Sequence, residues 1–196
     1  MDEVMPNDVT ARLARLVAQA DAEGLVDVAY TSVDSPFGPL LAAATKRGLV
    51  RLAYPDEGAD AVVDDLARRV SPRVIEVRAR LDEIRRELDE YFEGGRHRFD
   101  LGIDWALTDG FARRVLQATH RIPFGQLRTY GEMAARAGNE RAARATGNAL
   151  GSNPIPIVVP CHRVVRAGGH LGGYTGGIDR KIRLLRIEGA LADELF

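Results

Sequence analysis

The chain has one cysteine, Cys161, which stands directly before His162 near the end of the apolar run "IPIVVPCHRVV". A thiolate is a strong nucleophile, and a neighbouring imidazole is a common base for forming it. Adjacent side chains on extended backbone point to opposite sides, so we expect a water molecule to link the two. The residues ahead of Pro160 predict a buried strand that ends at the cysteine. Lone cysteines more often serve packing, so this pair alone leaves the chemistry open.

The composition excludes several kinds of site. One cysteine rules out an internal disulfide and a multi-cysteine zinc cluster, and the four histidines show no ligand spacing, so we expect no metal and no other cofactor. The first ten residues carry acidic side chains where a signal peptide carries basic ones, and no apolar run approaches membrane-spanning length. We therefore expect a cytoplasmic protein that does not associate with membranes.

Charge is divided unevenly along the chain, although the formal net charge is only -1. Residues 1–104 carry 14 basic and 21 acidic side chains, whereas residues 105–196 carry 13 and 7. The second half is therefore the better candidate for contact with a polyanion. Such imbalances also arise by chance, so the charge supports a nucleic-acid partner only beside a motif.

The first half alternates β-prone runs with amphipathic helices. Apolar residues at helical spacing predict a helical N-terminal extension over residues 8–23. Three β-prone runs within residues 26–55, separated by turn residues, are typical of an antiparallel meander. We expect a helix over 58–69, a strand over 73–77 and a second amphipathic helix over 78–92 to follow.

Short helices joined by glycine and proline make up the second half. The first is expected to be capped by Thr108 or Asp109. Thr129 and Glu132 have the capping-box spacing, in which each side chain satisfies a free backbone donor of the other residue. A further helix over 140–150 follows after a short turn. Two short helices joined in this way are typical of a helix-turn-helix.

The second helix of this pair carries one long cation, Arg144, among small residues. These small residues are Ala142, Ala143, Ala145 and Gly147. Small side chains let a backbone approach a surface closely, and an arginine can reach a phosphate or enter a groove. The helix pattern alone favours another interpretation, in which the alanines pack on a neighbouring helix and the arginine is solvated.

Residues 147–190, "GNALGSNPIPIVVPCHRVVRAGGHLGGYTGGIDRKIRLLRIEGA", closely resemble the active-site region of the O6-alkylguanine-DNA alkyltransferases. The Pro-Cys-His-Arg-Val signature of that family stands at 160–164, and the resemblance extends over roughly 107–190 to include "TYGEMA" and "AARATGNA". It implies direct-reversal repair of double-stranded DNA. The alkyl group of O6-alkylguanine, and of O4-alkylthymine, would move once to the cysteine and leave the protein inactive.

The same resemblance implies an α+β fold in three parts. Residues 26–104 would form an α/β domain resembling RNase H, and residues 105–196 a helical domain that contains the helix-turn-helix and the active site. Residues 1–25 would be an extension without a counterpart in the family. We expect the protein to act as a monomer.

The resemblance further implies a role for each matching position around the cysteine. Cys161 would accept the alkyl group, His162 would act through a bridging water as its base, and Glu188 would hold the imidazole. Asn153 would brace the backbone beside the cysteine.

Recognition of the extruded base is implied for another group of residues. Tyr130 would donate a proton to the flipped guanine, and Lys181 would favour that donation. The residues implied to line the base pocket are Val164, Tyr174, Thr175 and Gly176. Because glycine at 176 has no side chain, we expect room for alkyl groups larger than methyl. Arg144 would fill the duplex space that the flipped nucleotide leaves, and the small residues beside it would let the helix approach the minor groove.

Three other functions share part of these features. A lesion-binding relative would keep the pocket and the helix-turn-helix but lack the acceptor cysteine. A helix-turn-helix transcription factor would not need the Cys-His-Glu set, and a cysteine hydrolase would turn over an ester without DNA. Transfer of a methyl group from O6-methylguanine in DNA to Cys161 distinguishes all of them from an alkyltransferase.

Overall fold

A four-stranded sheet organises the first half of the chain in the computed structural model, which describes residues 6–191. Its strands are β1 (Val28–Val33), β2 (Leu40–Thr45), β3 (Gly48–Ala53) and β4 (Val74–Glu76). Strands β1 to β3 form the predicted antiparallel meander, and β4 pairs in parallel with β1, so the order is β3-β2-β1-β4. The helices of this half are α1 (Pro6–Ala22), α2 (Ala59–Arg69) and α3 (Asp82–Phe92).

Strand β2 is buried on both faces because its residues alternate between two apolar clusters. Leu40 and Ala42 belong to the main core, whereas Leu41 and Ala43 pack in a smaller cluster with side chains of α2. Helix α3 contributes Tyr91 to the main core, where the side chain has no exposed surface. The main core also contains buried residues of the second half, so it continues across both halves of the chain.

The outer edge of the sheet, strand β3, bonds to backbone from later in the chain. The amide of Leu49 donates to the carbonyl of Gly102 at 2.8 Å, and the amide of Asp104 donates to the carbonyl of Leu49 at 2.9 Å. The amide of Leu52 donates to the carbonyl of Pro154 at 2.9 Å. The turn before Cys161 is therefore attached directly to the sheet.

The second half is mainly helical. Its helices are α4 (Gly110–His120), α5 (Tyr130–Arg136), α6 (Ala143–Gly151) and α7 (Ile178–Ile187). Two short strands, β5 (Arg128–Thr129) and β6 (Val164–Val165), lie between these helices in sequence and pair with each other in parallel. The predicted capping box is confirmed at α5, where Thr129 Oγ1 accepts from the amide of Glu132 at 3.2 Å and the carboxylate accepts from the amide of Thr129 at 2.6 Å. Within residues 6–191 no helix is both long and apolar enough to cross a bilayer.

The prediction of a buried strand before Cys161 is wrong. Residues 154–160 form a series of tight turns, with Ile157 at a φ of 73°. Prolines at 154, 156 and 160 remove three of the backbone donors that a strand would need, so the apolar run is buried without pairing. Asp109 is the N-cap of α4, as expected, but its side chain makes no capping bond. Helix α6 begins at Ala143 rather than at the expected residue 140.

Candidate active site

Cys161 opens a short 3₁₀ helix, Cys161–Arg163, immediately after these turns. The side chain of Asn153 fixes the turns from inside: its Nδ2 donates to the carbonyl of Val159 at 2.8 Å, and its Oδ1 accepts from the amide of Ile155 at 3.0 Å. The same Nδ2 lies 3.1 Å from Cys161 Sγ and donates to it. One buried amide group therefore both shapes the loop and touches the sulfur.

The Cys161 thiol is almost fully buried, with 5% of its surface exposed. Burial raises the pKa of Cys161 to about 11, although the Asn153 donor and the charge of Lys181 act in the opposite direction. The sulfur is therefore protonated at neutral pH and needs a base before it can act as a strong nucleophile.

His162 and Glu188 form a buried pair beside the cysteine. Imidazole Nε2 lies 2.8 Å from Glu188 Oε1, and neither side chain is exposed. Burial alone would raise the pKa of Glu188, but hydrogen bonds from His162 and Arg163 hold that pKa well below its usual range. An ionised carboxylate only accepts, so Nε2 carries the proton and Nδ1 is the basic nitrogen. Nδ1 is buried and has no hydrogen-bond partner among the described residues.

Glu188 accepts from three further groups that sequence reasoning did not identify. Tyr91 Oη donates to Oε1 at 2.7 Å, and Arg163 donates through Nη2 to Oε1 and through Nε to Oε2, both at 2.8 Å. The amide of Gly125 lies 3.4 Å from Oε2. Arg163 stands within the Pro-Cys-His-Arg-Val signature, which could have drawn attention to it. Tyr91, in "DEYFEG", has no sequence signal that separates it from a core aromatic residue.

Lys181 on α7 is fully buried beneath the loop that follows β6. Its Nζ donates to the carbonyls of Val164 at 2.6 Å, Leu171, and Gly173 at 3.4 Å. Tyr130 Oη also approaches the Gly173 carbonyl, at 3.5 Å. Lys181 and Tyr130 therefore meet at one backbone oxygen, while the carbonyl of Val164 is occupied by Lys181. Burial lowers the pKa of Lys181 to about 8.

A cavity of about 330 Å³ opens between Tyr130 and the cysteine, and we call it the Tyr130 cavity. Its lining residues are Tyr130, Gly147, Leu150, Gly151, Cys161, Gly173, Tyr174 and Thr175. Because Gly172 has no side chain, it leaves room for the Tyr130 hydroxyl. Gly172 has a φ of +68°, and a Cβ there would lie 3.0 Å from Tyr130 Oη. The Thr175 hydroxyl donates to the carbonyl of Gly151 at 2.6 Å and closes one side.

A second cavity of about 210 Å³ lies on another side of Cys161, toward the sheet, and we call it the Tyr54 cavity. Its lining residues are Arg51, Tyr54, Asp56, Glu57, Gly151, Ser152, Asn153, Pro156, Cys161, Thr175 and Gly176. Gly176 thus lines this cavity and not the Tyr130 cavity. A Cβ at 176 would lie 2.6 Å from Tyr54 Cε2 and 2.8 Å from Tyr174 Cε1. A side chain at 176 would therefore meet two aromatic rings, and the expected room for alkyl groups larger than methyl stays a prediction.

Helix α6 presents Arg144 on its exposed face, among small side chains. Ala143 and Ala145 are also exposed, and Ala142 and Gly147 are partly buried. Within the described residues the Arg144 guanidinium has no hydrogen bond or ion pair. The buried face of α6 consists of Thr146, Ala149 and Leu150. The helix therefore packs through the other side, and the face around Arg144 is open.

Two family models match the chain. Residues 28–105 match the ribonuclease-like domain, and residues 110–190 the DNA binding domain, of 6-O-methylguanine DNA methyltransferase. Curated proteins named methylated-DNA--protein-cysteine methyltransferase also match. The protein of Methanosarcina acetivorans is 38% identical over 82% of this chain and 98% of its own length, and that of Mycobacterium tuberculosis is 40% identical over 81% and 91%.

Solved structures match over a similar share of the chain. The crystal structure of the Mycobacterium tuberculosis O6-methylguanine methyltransferase has a TM-score of 0.70 and 37% identity, over 86% of this chain and 97% of that chain. A Mycobacterium tuberculosis OGT in complex with DNA has a TM-score of 0.68 and 36% identity, over 83% and 93%. The similarity thus extends over both halves of the chain described above.

Proposed function

Because this chain belongs to the 6-O-methylguanine DNA methyltransferase family, we propose that Cys161 is the residue to which it transfers the alkyl group of O6-alkylguanine in DNA. The family activity, transfer of a methyl group from DNA to a cysteine of the protein, is direct-reversal DNA repair. The observation that carries the assignment of Cys161 is the position of its sulfur. It lies at the meeting point of two cavities, against Asn153 and next to the His162–Glu188 pair.

The chemical step is a single displacement at the alkyl carbon. Cys161 Sγ attacks that carbon, the new C–S bond forms, and the C–O6 bond breaks with its electron pair leaving on guanine. The thiol proton passes to His162 Nδ1, directly or through water, because this is the unprotonated nitrogen of the ring. Glu188 stabilises the imidazolium that results.

The leaving guanine needs a proton, and Tyr130 is the donor that we propose. Its hydroxyl points toward Gly173, whose carbonyl also accepts from Lys181. A cation next to the same carbonyl favours loss of the phenolic proton, so Lys181 assists without touching the base. Donation of the Tyr130 proton to N3 of guanine makes the base a better leaving group. It also balances the proton that the thiol gives up.

The product of this step is a thioether, which has no easy hydrolytic route back to the thiol. Each molecule therefore reacts once and is consumed by its substrate. O4-alkylthymine presents the same kind of alkyl–oxygen bond and would react in the same way.

The base must leave the duplex before its O6 substituent can reach a buried sulfur. We propose that α6 lies in the minor groove and that Arg144 fills the space left in the base stack. The open face around Arg144 and its small neighbours supports this role, because a close approach needs a helix without bulky side chains. Extruding a base costs about a few kcal/mol, which Arg144 offsets in part.

Mass spectrometry of the protein after incubation with duplex DNA that contains O6-methylguanine tests the function. We expect Cys161 to gain the mass of one CH₂ and the DNA to lose its methyl group in equal amount. Cys161→Ala should still bind the duplex and transfer nothing. Loss of methyl from the DNA with this variant, or a modified residue other than Cys161, would refute the assignment.

Three further parts of the proposal have their own tests. We propose the division into residues 1–25, 26–104 and 105–196, which limited proteolysis between the parts would probe. The two ranges that match the family models support it. We also propose that one copy acts alone and in the cytoplasm; sedimentation of the protein on a lesion-containing duplex and localisation of a tagged chain test these two points.

A further inference from the structure

We propose that Tyr91, on helix α3 of the first half of the chain, is a positioning residue of the proton relay. The Tyr91 hydroxyl holds Glu188 Oε1 in place for His162 and sets how basic His162 is, a role that rests on the proposed function of Cys161. The sheet half of the chain would then take part in the chemistry through one hydrogen bond.

The geometry places the hydroxyl on the oxygen atom that His162 uses. Tyr91 Oη lies 2.7 Å from Glu188 Oε1, and His162 Nε2 lies 2.8 Å from the same atom. Neither Tyr91 nor His162 has exposed surface, and Glu188 has 4%. Water therefore cannot easily replace a lost donor, so the hydrogen bond acts in a setting where it is strong.

Tyr91 is fixed to its position by aromatic neighbours rather than by the hydroxyl alone. Its ring packs 5.3 Å from Phe92, 5.3 Å from Phe99 and 6.2 Å from Phe124, centroid to centroid. Burial raises the pKa of Tyr91 well above its usual value, so the hydroxyl stays protonated and can only donate to the carboxylate. A phenylalanine would keep these packing contacts and remove the hydrogen bond.

The basicity of His162 depends on how much negative charge Glu188 presents to it. Oε1 shares its lone pairs among Tyr91, His162 and Arg163 Nη2, while Oε2 accepts from Arg163 Nε and the Gly125 amide. The other groups that face His162 are the ring of Tyr174, edge to face at 6.4 Å, and the charge of Lys181. Each donor on Oε1 withdraws charge from the carboxylate. Removing one of them stabilises the imidazolium.

Replacing Tyr91 with phenylalanine therefore has a predicted direction. In Tyr91→Phe, His162 should gain its proton at a higher pH. The fall of the alkyl-transfer rate toward low pH, which we call the acid limb, should therefore move up by about half a pH unit to one pH unit. The rate is measured against pH with duplex O6-methylguanine DNA. The imidazole ¹⁵N shifts of His162, assigned by comparison with His162→Gln, report the same titration without any transfer.

Tyr30→Phe is the matched control, since it removes a hydroxyl from the sheet half outside the relay. Its acid limb and its His162 shifts should equal those of the wild type. If Tyr91 has only a structural role, Tyr91→Phe should lower the unfolding midpoint but leave the acid limb and the ¹⁵N shifts of His162 unchanged. That result would overturn the inference.

A double-variant cycle shows whether Tyr91 acts through the carboxylate. In Glu188→Gln the charge is already absent, so adding Tyr91→Phe should produce no further shift in the His162 titration. An additional shift as large as in the wild-type background would contradict the mechanism. A wild-type protein that transfers no methyl group would refute the proposed function, whereas the ¹⁵N titrations would still decide the role of Tyr91.

Discussion

Replacing Asn153 with alanine removes three hydrogen bonds from the turns that carry Cys161. The amide of Ile155, 1% exposed, loses its side-chain acceptor, whereas the carbonyl of Val159 still accepts from the amide of Cys161 at 2.8 Å. An orphaned buried donor costs about 1–3 kcal/mol and a lost neutral hydrogen bond about 1 kcal/mol. We therefore expect Asn153→Ala to lower the free energy of unfolding by about 2–4 kcal/mol.

The same substitution acts separately on the sulfur. A donor to a thiolate is worth about 1.5–3 kcal/mol, so its loss should raise the pKa of Cys161 by about one to two units. A more basic thiolate is also a stronger nucleophile, which offsets part of the lower thiolate fraction. The rate of alkylation by iodoacetamide at fixed pH should therefore be roughly 3- to 15-fold lower.

Asn153→Asp distinguishes the two effects. Its carboxylate still accepts from the Ile155 amide, but it removes the donor to sulfur and adds a negative charge beside it. We expect iodoacetamide to react with Asn153→Asp more slowly than with Asn153→Ala at a pH at which the carboxylate is ionised. Urea unfolding of each variant gives the stability term independently. A wild-type alkylation rate in either variant would refute the role assigned to the Asn153 donor.

Three other substitutions or conditions give distinct outcomes. Arg144→Ala should slow repair of duplex DNA much more than reaction with the free O6-alkylguanine base, which needs no extrusion; equal losses would argue against a place in the base stack. Gly176→Ala should displace the Tyr54 ring, lower stability by about 1–3 kcal/mol and impair O6-benzylguanine more than O6-methylguanine, and unchanged melting together with unchanged reaction would contradict the contact distances. Because burial raises the pKa of Cys161 from 9.0 to about 11, the thiol contributes stability that is present below pH 9 and lost as pH rises through 11. Urea unfolding at both ends of this range should show a larger loss in the wild type than in Cys161→Ser, because the two proteins share every other group that titrates there.

Features that depend on neighbours in sequence were predictable. The capping box needs only Thr129 and Glu132, three residues apart, and the meander needs only alternating β-prone runs and turn residues. The strand predicted for the apolar run before Cys161 was wrong because that prediction depended mainly on hydrophobic content. Pro154, Pro156 and Pro160 decide the backbone there, because they cannot donate to a sheet.

Features that depend on contacts between distant residues were not predictable from composition or spacing. Tyr91 and Glu188 are 97 residues apart, and nothing in "DEYFEG" marks a tyrosine whose hydroxyl meets a carboxylate. Gly176 belongs to the same class. Its meaning depends on the ring of Tyr54, from the other half of the chain, which the sequence does not show beside it.

Strand β3 forms hydrogen bonds with backbone from later in the chain. These hydrogen bonds affect how separate chains can associate. An unpaired sheet edge is a template on which another chain can add a strand, and proteins protect such edges. Here the carbonyls of Gly102 and Pro154 accept from the outer edge of β3, so backbone from later in the chain shields this edge from neighbours. A fragment that ends before Pro154 would expose part of this edge together with its apolar faces. We expect such a fragment to aggregate rather than persist as a small soluble domain.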